Sequence, residues 1–253
     1  MWVKEDWQKD PIATSAGVLV AGTLIASILL IFMHAPIERL MGVVQKIFYF
    51  HVPAAIAMGV CFVLCGLGSL AWLGRKDDRL DAFAATAAEL AVVLGAIVLI
   101  TGPLWARKAW GAWWVWEPRL GITLITFFLY VGYLAVREFG GAGDQGRRIA
   151  AGLAVLGLPA YYFIKIAVER WGGNHPGNVV YGTGDGLEDP RIKLTFMVSL
   201  VGMALLVSFV FWLRYTTRRL AQRVDELVVE MDEHDLLEGP GTPTSFGKVG
   251  GDA

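Results

Sequence analysis

Val52-Pro-Ala-Ala-Ile-Ala-Met-Gly-Val-Cys-Phe-Val-Leu-Cys-Gly-Leu-Gly-Ser-Leu-Ala-Trp-Leu-Gly74 runs without a single formal charge and is closed by Arg75-Lys76-Asp77-Asp78-Arg79. A bilayer core takes roughly 20 mostly apolar residues per helix, so this run is long enough to cross one. Five more runs of the same kind lie at about 12–34, 83–103, 121–137, 149–169 and 194–213. Backbone polar groups in lipid must be satisfied within the segment, which makes each run a helix. The pattern predicts an all-α integral membrane protein with six transmembrane helices. The overall composition, 55% hydrophobic, agrees.

The net charge of −1 rules out the basic face that nucleic acid requires, so no nucleic-acid partner is expected. The surrounding solvent is membrane lipid. The first apolar run is too long for a signal-peptide core and is read as an uncleaved anchor. Cys61 and Cys65 stand four residues apart in one run, share a helix face and read as small residues at a helix contact. There is no Cys-x-x-Cys-His, hence no site for covalent haem attachment, and no phosphate loop.

With six spans both termini share a side. One side carries Lys4, Lys9, Arg75, Lys76, Arg79, Arg137, Arg147, Arg148, Arg214, Arg218, Arg219 and Arg223. The other has Arg39, Lys46, Arg107, Lys108, Arg119, Arg170, Arg191 and Lys193. The richer side is expected to be cytoplasmic, so the N- and C-termini are placed there. Segments 35–51, 104–120 and 170–193 then face outward. Residues 1–213 form the six-span domain. Within 214–238, Leu220, Val224, Leu227 and Met231 recur at helical spacing and predict a cytoplasmic amphipathic helix. The tail 239–253 reads as disordered.

The outward segments hold the unusual residues. Five of ten tryptophans fall between Trp105 and Trp116. An aromatic belt would spread its rings over many helix ends, whereas these crowd one outward-facing tryptophan-rich loop. Trp110, Trp113 and Trp114 have i, i+3, i+4 spacing, so a helical loop would set three rings side by side as a flat apolar platform. Arg107, Lys108, Arg119 and Lys46 bring cations to the same layer, where they either clamp carboxylates or snorkel. His51 and His175 lie in or beside two different outward segments, and two neutral imidazoles can ligate one iron from opposite sides. His34 ends the first span, and His234 lies in the tail.

The run Trp110-Gly-Ala-Trp-Trp-Val-Trp-Glu-Pro-Arg119 resembles the tryptophan-rich signature of the haem-handling proteins of cytochrome c biogenesis, most closely the CcmC (haem exporter protein C) family. Lys46-Ile-Phe-Tyr-Phe-His51-Val-Pro-Ala-Ala55 is similar to the family's first outward segment, and Trp171-Gly-Gly-Asn-His175-Pro-Gly177 more loosely to its third. The resemblance spans roughly residues 36–195. It implies axial haem ligation by His51 and His175, through which both act as ligands of the haem iron. Trp110, Trp113, Trp114, Trp116 and Glu117 become the haem platform. Lys46, Arg119, Arg107 and Lys108 become candidate contacts to the propionates. It further implies non-covalent haem b in transit, presented at the periplasmic side of a bacterial inner membrane to the haem chaperone CcmE. The ABC transporter subunits CcmA and CcmB and the small helical subunit CcmD would be partners. The chain would be a haem-presenting subunit rather than an enzyme.

This sequence departs from the family in three places: Glu117 stands where aspartate is usual, Lys46 where arginine is usual, and Gly172-Gly173-Asn174 make a more flexible approach to His175. Two alternatives share the haem chemistry. A CcsA-type haem-lyase component carries a similar motif but generally has more spans. A b-type membrane electron carrier would place its histidines inside apolar helices. A transporter would need ionisable residues near mid-membrane, and Glu89 and Lys165 both sit close enough to helix ends to snorkel.

Overall fold

A computed structural model describes residues 11–140, 143–177, 187 and 189–233. Among the described residues six helices are long and apolar enough to cross a membrane, and the chain is a multi-pass all-α membrane protein. They are α1 (Pro11–Leu29), α2 (Phe48–Arg75), α3 (Asp78–Trp110), α4 (Pro118–Phe139), α5 (Asp144–Trp171) and α6 (Pro190–Glu233). A π-helical turn, Leu30–His34, extends α1, and a 3₁₀ turn, Val43–Ile47, leads into α2. Residues up to Tyr215 form one compact unit and those from Thr216 onward a second. The tail 239–253 and His234 lie outside the described residues.

Local chemistry fixes the helix ends. Asp77 caps α3 by accepting from the Arg79 N–H at 2.8 Å, and Asp78 and Asp81 favour the positive end of the helix dipole. Pro118 opens α4 at a position whose missing N–H costs no helical bond. Lys76, left-handed at φ 56°, closes α2, and its N–H donates to the Trp72 carbonyl at 2.8 Å.

The core is an alanine-rich contact. Ala84, Ala85, Ala87, Ala88 and Ala91 of α3 are buried against Ala54, Met58, Cys61, Phe62 and Cys65 of α2. Lipid offers no hydrophobic drive between helices, so close packing of small side chains carries the association. Both cysteines are free and buried, in keeping with their reading as contact residues. Tyr130 of α4 reaches across this core and donates to the Phe62 carbonyl at 2.7 Å.

α3 is longer than the apolar run 83–103 at both ends, so Trp105 and Trp110 are helical residues. The connection to α4 shrinks to 111–117. One end of the bundle gathers the C-terminus of α1, the N-termini of α2, α4 and α6, and the C-termini of α3 and α5. It will be called the motif end.

Candidate functional site

Gly111, left-handed at φ 74°, stops α3 immediately after Trp110. Residues 111–117 that follow are not helical. The i, i+3, i+4 reading of Trp110, Trp113 and Trp114 as one helical face is therefore corrected: a glycine in the left-handed region turns the chain before the spacing can act. The indoles instead fall into two edge-to-face pairs. Trp105 and Trp110 sit 5.6 Å apart at 90°, and Trp114 and Trp116 5.7 Å apart at 75°. Trp113 and Trp116 stand largely free, at 58% and 79% exposure.

The two histidines come from non-adjacent segments. His51, on the first turn of α2, has its Nδ1 2.8 Å from the Thr101 hydroxyl of α3. Thr101 already donates its only hydroxyl proton to the Ile97 carbonyl at 2.7 Å, so it can only accept from His51. That assigns the proton to Nδ1 and leaves the lone pair on Nε2. His175, just beyond α5, has its Nδ1 2.9 Å from the Pro176 carbonyl, which only accepts, so the same tautomer follows. Burial first, then the charge of Arg119, pushes the His175 pKa down to about 4, with His51 adding a smaller push the same way. This ring is neutral at ordinary pH. The Trp110 ring lies 6.5 Å from it, edge to face.

Glu117 and Arg119 flank Pro118 at the start of α4. The Glu117 carboxylate is buried and leaves its own helix uncapped. Its Oε2 accepts instead from the Asn174 N–H at 2.6 Å. Arg119 donates to the Pro176 carbonyl at 3.2 Å. The glycines before His175 are conformationally required: Gly172 and Gly173 adopt φ 72° and 138°, and a Cβ on Gly173 would lie 2.6 Å from the Glu117 Oε2. This segment is tied at two points, in contrast to the flexible approach expected from its sequence.

The remaining cations divide. The buried Lys46 ammonium donates to the carbonyls of Ile31, Phe32 and Ala35, the last two at 3.4 and 3.5 Å, and lies 5.4 Å from the Phe32 ring. In this structure Lys46 satisfies the carbonyl end of α1 and acts as a helix cap. Arg107 donates to the Gly111 carbonyl, and both it and Lys108 are exposed. Arg119 lines a small recess with Lys165, Val168, Glu169 and Gly177, so two cations share it with one carboxylate. Lys165 and Thr101 are the residues sequence reasoning missed as neighbours of the site. Their signal was weak: a lysine in an apolar run, and a threonine preceding Gly102-Pro103 near the end of another.

Two buried polar atoms in this region, the Trp114 Nε1 and the Glu117 Oε1, have no hydrogen-bond partner among the described residues. No group of three or more histidine, cysteine, aspartate or glutamate side chains that could hold a metal ion occurs among the described residues. Two imidazoles that turn Nδ1 to protein acceptors, exposed indoles and the Arg119 guanidinium are groups that fit haem.

Six apolar helices bearing such a site define a multi-pass membrane protein of the haem-handling class. The chain belongs to the heme exporter protein C (CcmC) family, which it matches over residues 7–230 and which serves haem delivery in cytochrome c biogenesis. It is 30% identical over 206 residues to heme exporter protein C of Rhodobacter capsulatus, covering 81% of this chain and 85% of that one. It is 31% identical over 198 residues to the protein of the same name from Bradyrhizobium diazoefficiens, covering 77% and 71%. With that of Escherichia coli K12 the identity is 35% over 150 residues, 58% of this chain and 60% of the other.

Proposed function

We propose that this chain holds non-covalent haem b at the motif end, with His51 and His175 as axial ligands, and presents it to a CcmE-type chaperone. The observation that carries the reading is the shared tautomer: each ring turns Nδ1–H to a protein acceptor and keeps the Nε2 lone pair for iron. Haem is cargo here, and the porphyrin supplies the iron; the chain supplies ligands, walls and counter-charges.

Trp113, Trp114 and Trp116 form the aromatic wall, with Trp110 packed against His175. Arg119, which shares its recess with Lys165 and Glu169, offers a guanidinium for a propionate, and the Trp114 N–H, without a partner among the described residues, is a further donor. Exposed Arg107 and Lys108 stand at the rim, where they meet propionates or a partner. Bis-imidazole ligation leaves iron no open position, which suits transport rather than oxygen chemistry. The chain therefore acts as a haem-presenting subunit and not as an enzyme. The lysine and arginine distribution supports cytoplasmic termini and a periplasmic site. The ABC subunits CcmA and CcmB and the helical subunit CcmD are the partners the family resemblance implies.

Reconstitution tests this directly. Purified full chain loaded with haem is mixed with a CcmE-type chaperone, and transfer is followed by absorption. Transfer from wild type, and its loss in Trp113→Ala/Trp114→Ala, is the expected result; unimpaired transfer from the double variant would return these rings to an aromatic belt. Cysteine labelling at position 113 from the periplasmic side alone is expected, and labelling from the cytoplasmic side alone would reverse the topology.

A further inference from the structure

Glu117 closes the tryptophan-rich motif, yet its carboxylate does none of the things an acid in that position would ordinarily do. It precedes Pro118 at the start of α4, where a short polar side chain would cap the helix by accepting from its first N–H groups; no such bond forms. It is buried, and its one hydrogen bond goes to a backbone N–H fifty-seven residues away, that of Asn174. Gly173 lies so close that any Cβ would strike the carboxylate, and its φ of 138° excludes other residues as well. Two residues further along α4, Arg119 donates to the Pro176 carbonyl, the same oxygen that accepts from His175 Nδ1.

We propose that Glu117 is a positioning residue: its carboxylate latches the Gly173–Asn174 turn and so fixes the direction in which His175 presents Nε2. The inference rests on reading His175 as an iron ligand, and goes beyond it by giving the motif's acid a task that involves no contact with haem. The two ends of the short segment 173–176 are held by Glu117 and Arg119, and His175 lies between these anchor points. The imidazole is thereby oriented by α4, a helix to which it does not belong. The bond from Glu117 to the turn is to the backbone, so an uncharged acceptor of the same length is expected to keep the latch.

The test uses the full chain in lipid nanodiscs with two readouts, amide hydrogen exchange of residues 172–177 without haem and the absorption spectrum with haem. Glu117→Ala and Gly173→Ala are expected to speed exchange of the turn by about tenfold, the effect of leaving the Asn174 N–H without its acceptor. Both are expected to convert a low-spin six-coordinate spectrum to high spin. Glu117→Gln keeps the acceptor and is expected to match wild type in both. Glu117→Asp, one methylene shorter and still able to fold, falls between. Unchanged exchange in Glu117→Ala overturns the latch. Faster exchange with an unaltered spectrum overturns its positioning role. A Glu117→Gln spectrum as damaged as that of Glu117→Ala, with exchange intact, overturns it in favour of a charge acting on haem. An unaltered spectrum in His175→Ala removes the ligand reading and the positioning role with it, while the exchange data still report the latch on its own.

Discussion

The two ends of the helical bundle solve opposite problems with similar residues. At the end away from the motif, Arg137 of α4 meets Asp81 of α3 through two bonds of 2.6 and 2.8 Å. Arg147 of α5 reaches Asp78 at 2.6 Å and Asp81 at 3.9 Å, so three helices close on one acidic pair. At the motif end, charge is sparsely matched. Glu117 takes a backbone N–H, Arg119 gives to a backbone carbonyl, and two imidazoles keep a nitrogen lone pair uncommitted. The difference teaches where the binding capacity lies: side chains satisfied by one another lock helices together, whereas side chains satisfied by the backbone hold loops in place and leave neighbours able to accept a guest.

The largest expected effect is at the locked end. Asp81→Ala strands the Arg137 guanidinium in a buried site, and breaking a buried pair costs about 3–5 kcal/mol. Denaturant unfolding in detergent checks it, with haem loading of the surviving folded fraction expected to be unchanged. Loss of haem loading in that fraction would break the proposed independence of the ends.

Lys46→Met comes next. It leaves the carbonyls of Ile31, Phe32 and Ala35 without their donor, at about 1–3 kcal/mol. Thermal unfolding should report the loss, while haem affinity should hold, because the Lys46 ammonium is occupied by the carbonyls at the end of α1. A fall in haem affinity without a fall in stability would return Lys46 to the propionates.

Thr101→Val removes the acceptor of His51 Nδ1–H and is expected to cost about 1 kcal/mol of stability. It should also weaken the imidazole as a donor to iron, read as a shift in haem reduction potential. A stability loss with an unmoved potential would reduce Thr101 to a packing residue.

The last effect is on pH. Burial lowers the pKa of His175 to about 4 from the ordinary value near 6.5. Between those values the unfolded chain binds the proton that the folded chain refuses, so the group's contribution to stability declines as pH falls from about 6.5 to about 4 and is level outside that window. The protection of residues 172–177 against hydrogen exchange without haem, taken relative to the intrinsic amide rate at each pH, should fall across that range in wild type and stay level in His175→Ala.

Much of this was legible in the sequence, for reasons that can be named. The six spans follow from hydropathy because lipid penalises an unsatisfied backbone wherever it lies along the chain. His51, His175 and the tryptophan cluster could be picked out because each is unusual beside a helix end. What could not be read were the partners. Glu117 reaches Asn174 fifty-seven residues away, and Glu89, expected to snorkel, pairs with Arg214 of α6 at 2.9 and 3.0 Å. Lys46 turns back to α1 because a neighbouring helix end happens to present bare carbonyls. The tryptophan spacing misled because one left-handed glycine, Gly111, outweighs a three-residue period.

The central claim is that His51 and His175 together ligate one haem. Electron paramagnetic resonance of the purified ferric haem-loaded chain, alongside His51→Ala and His175→Ala, tests it most directly. The account predicts a low-spin bis-imidazole signal in wild type that is lost in each variant, with high-spin signal or empty protein in its place. The same low-spin signal persisting in either variant would contradict it.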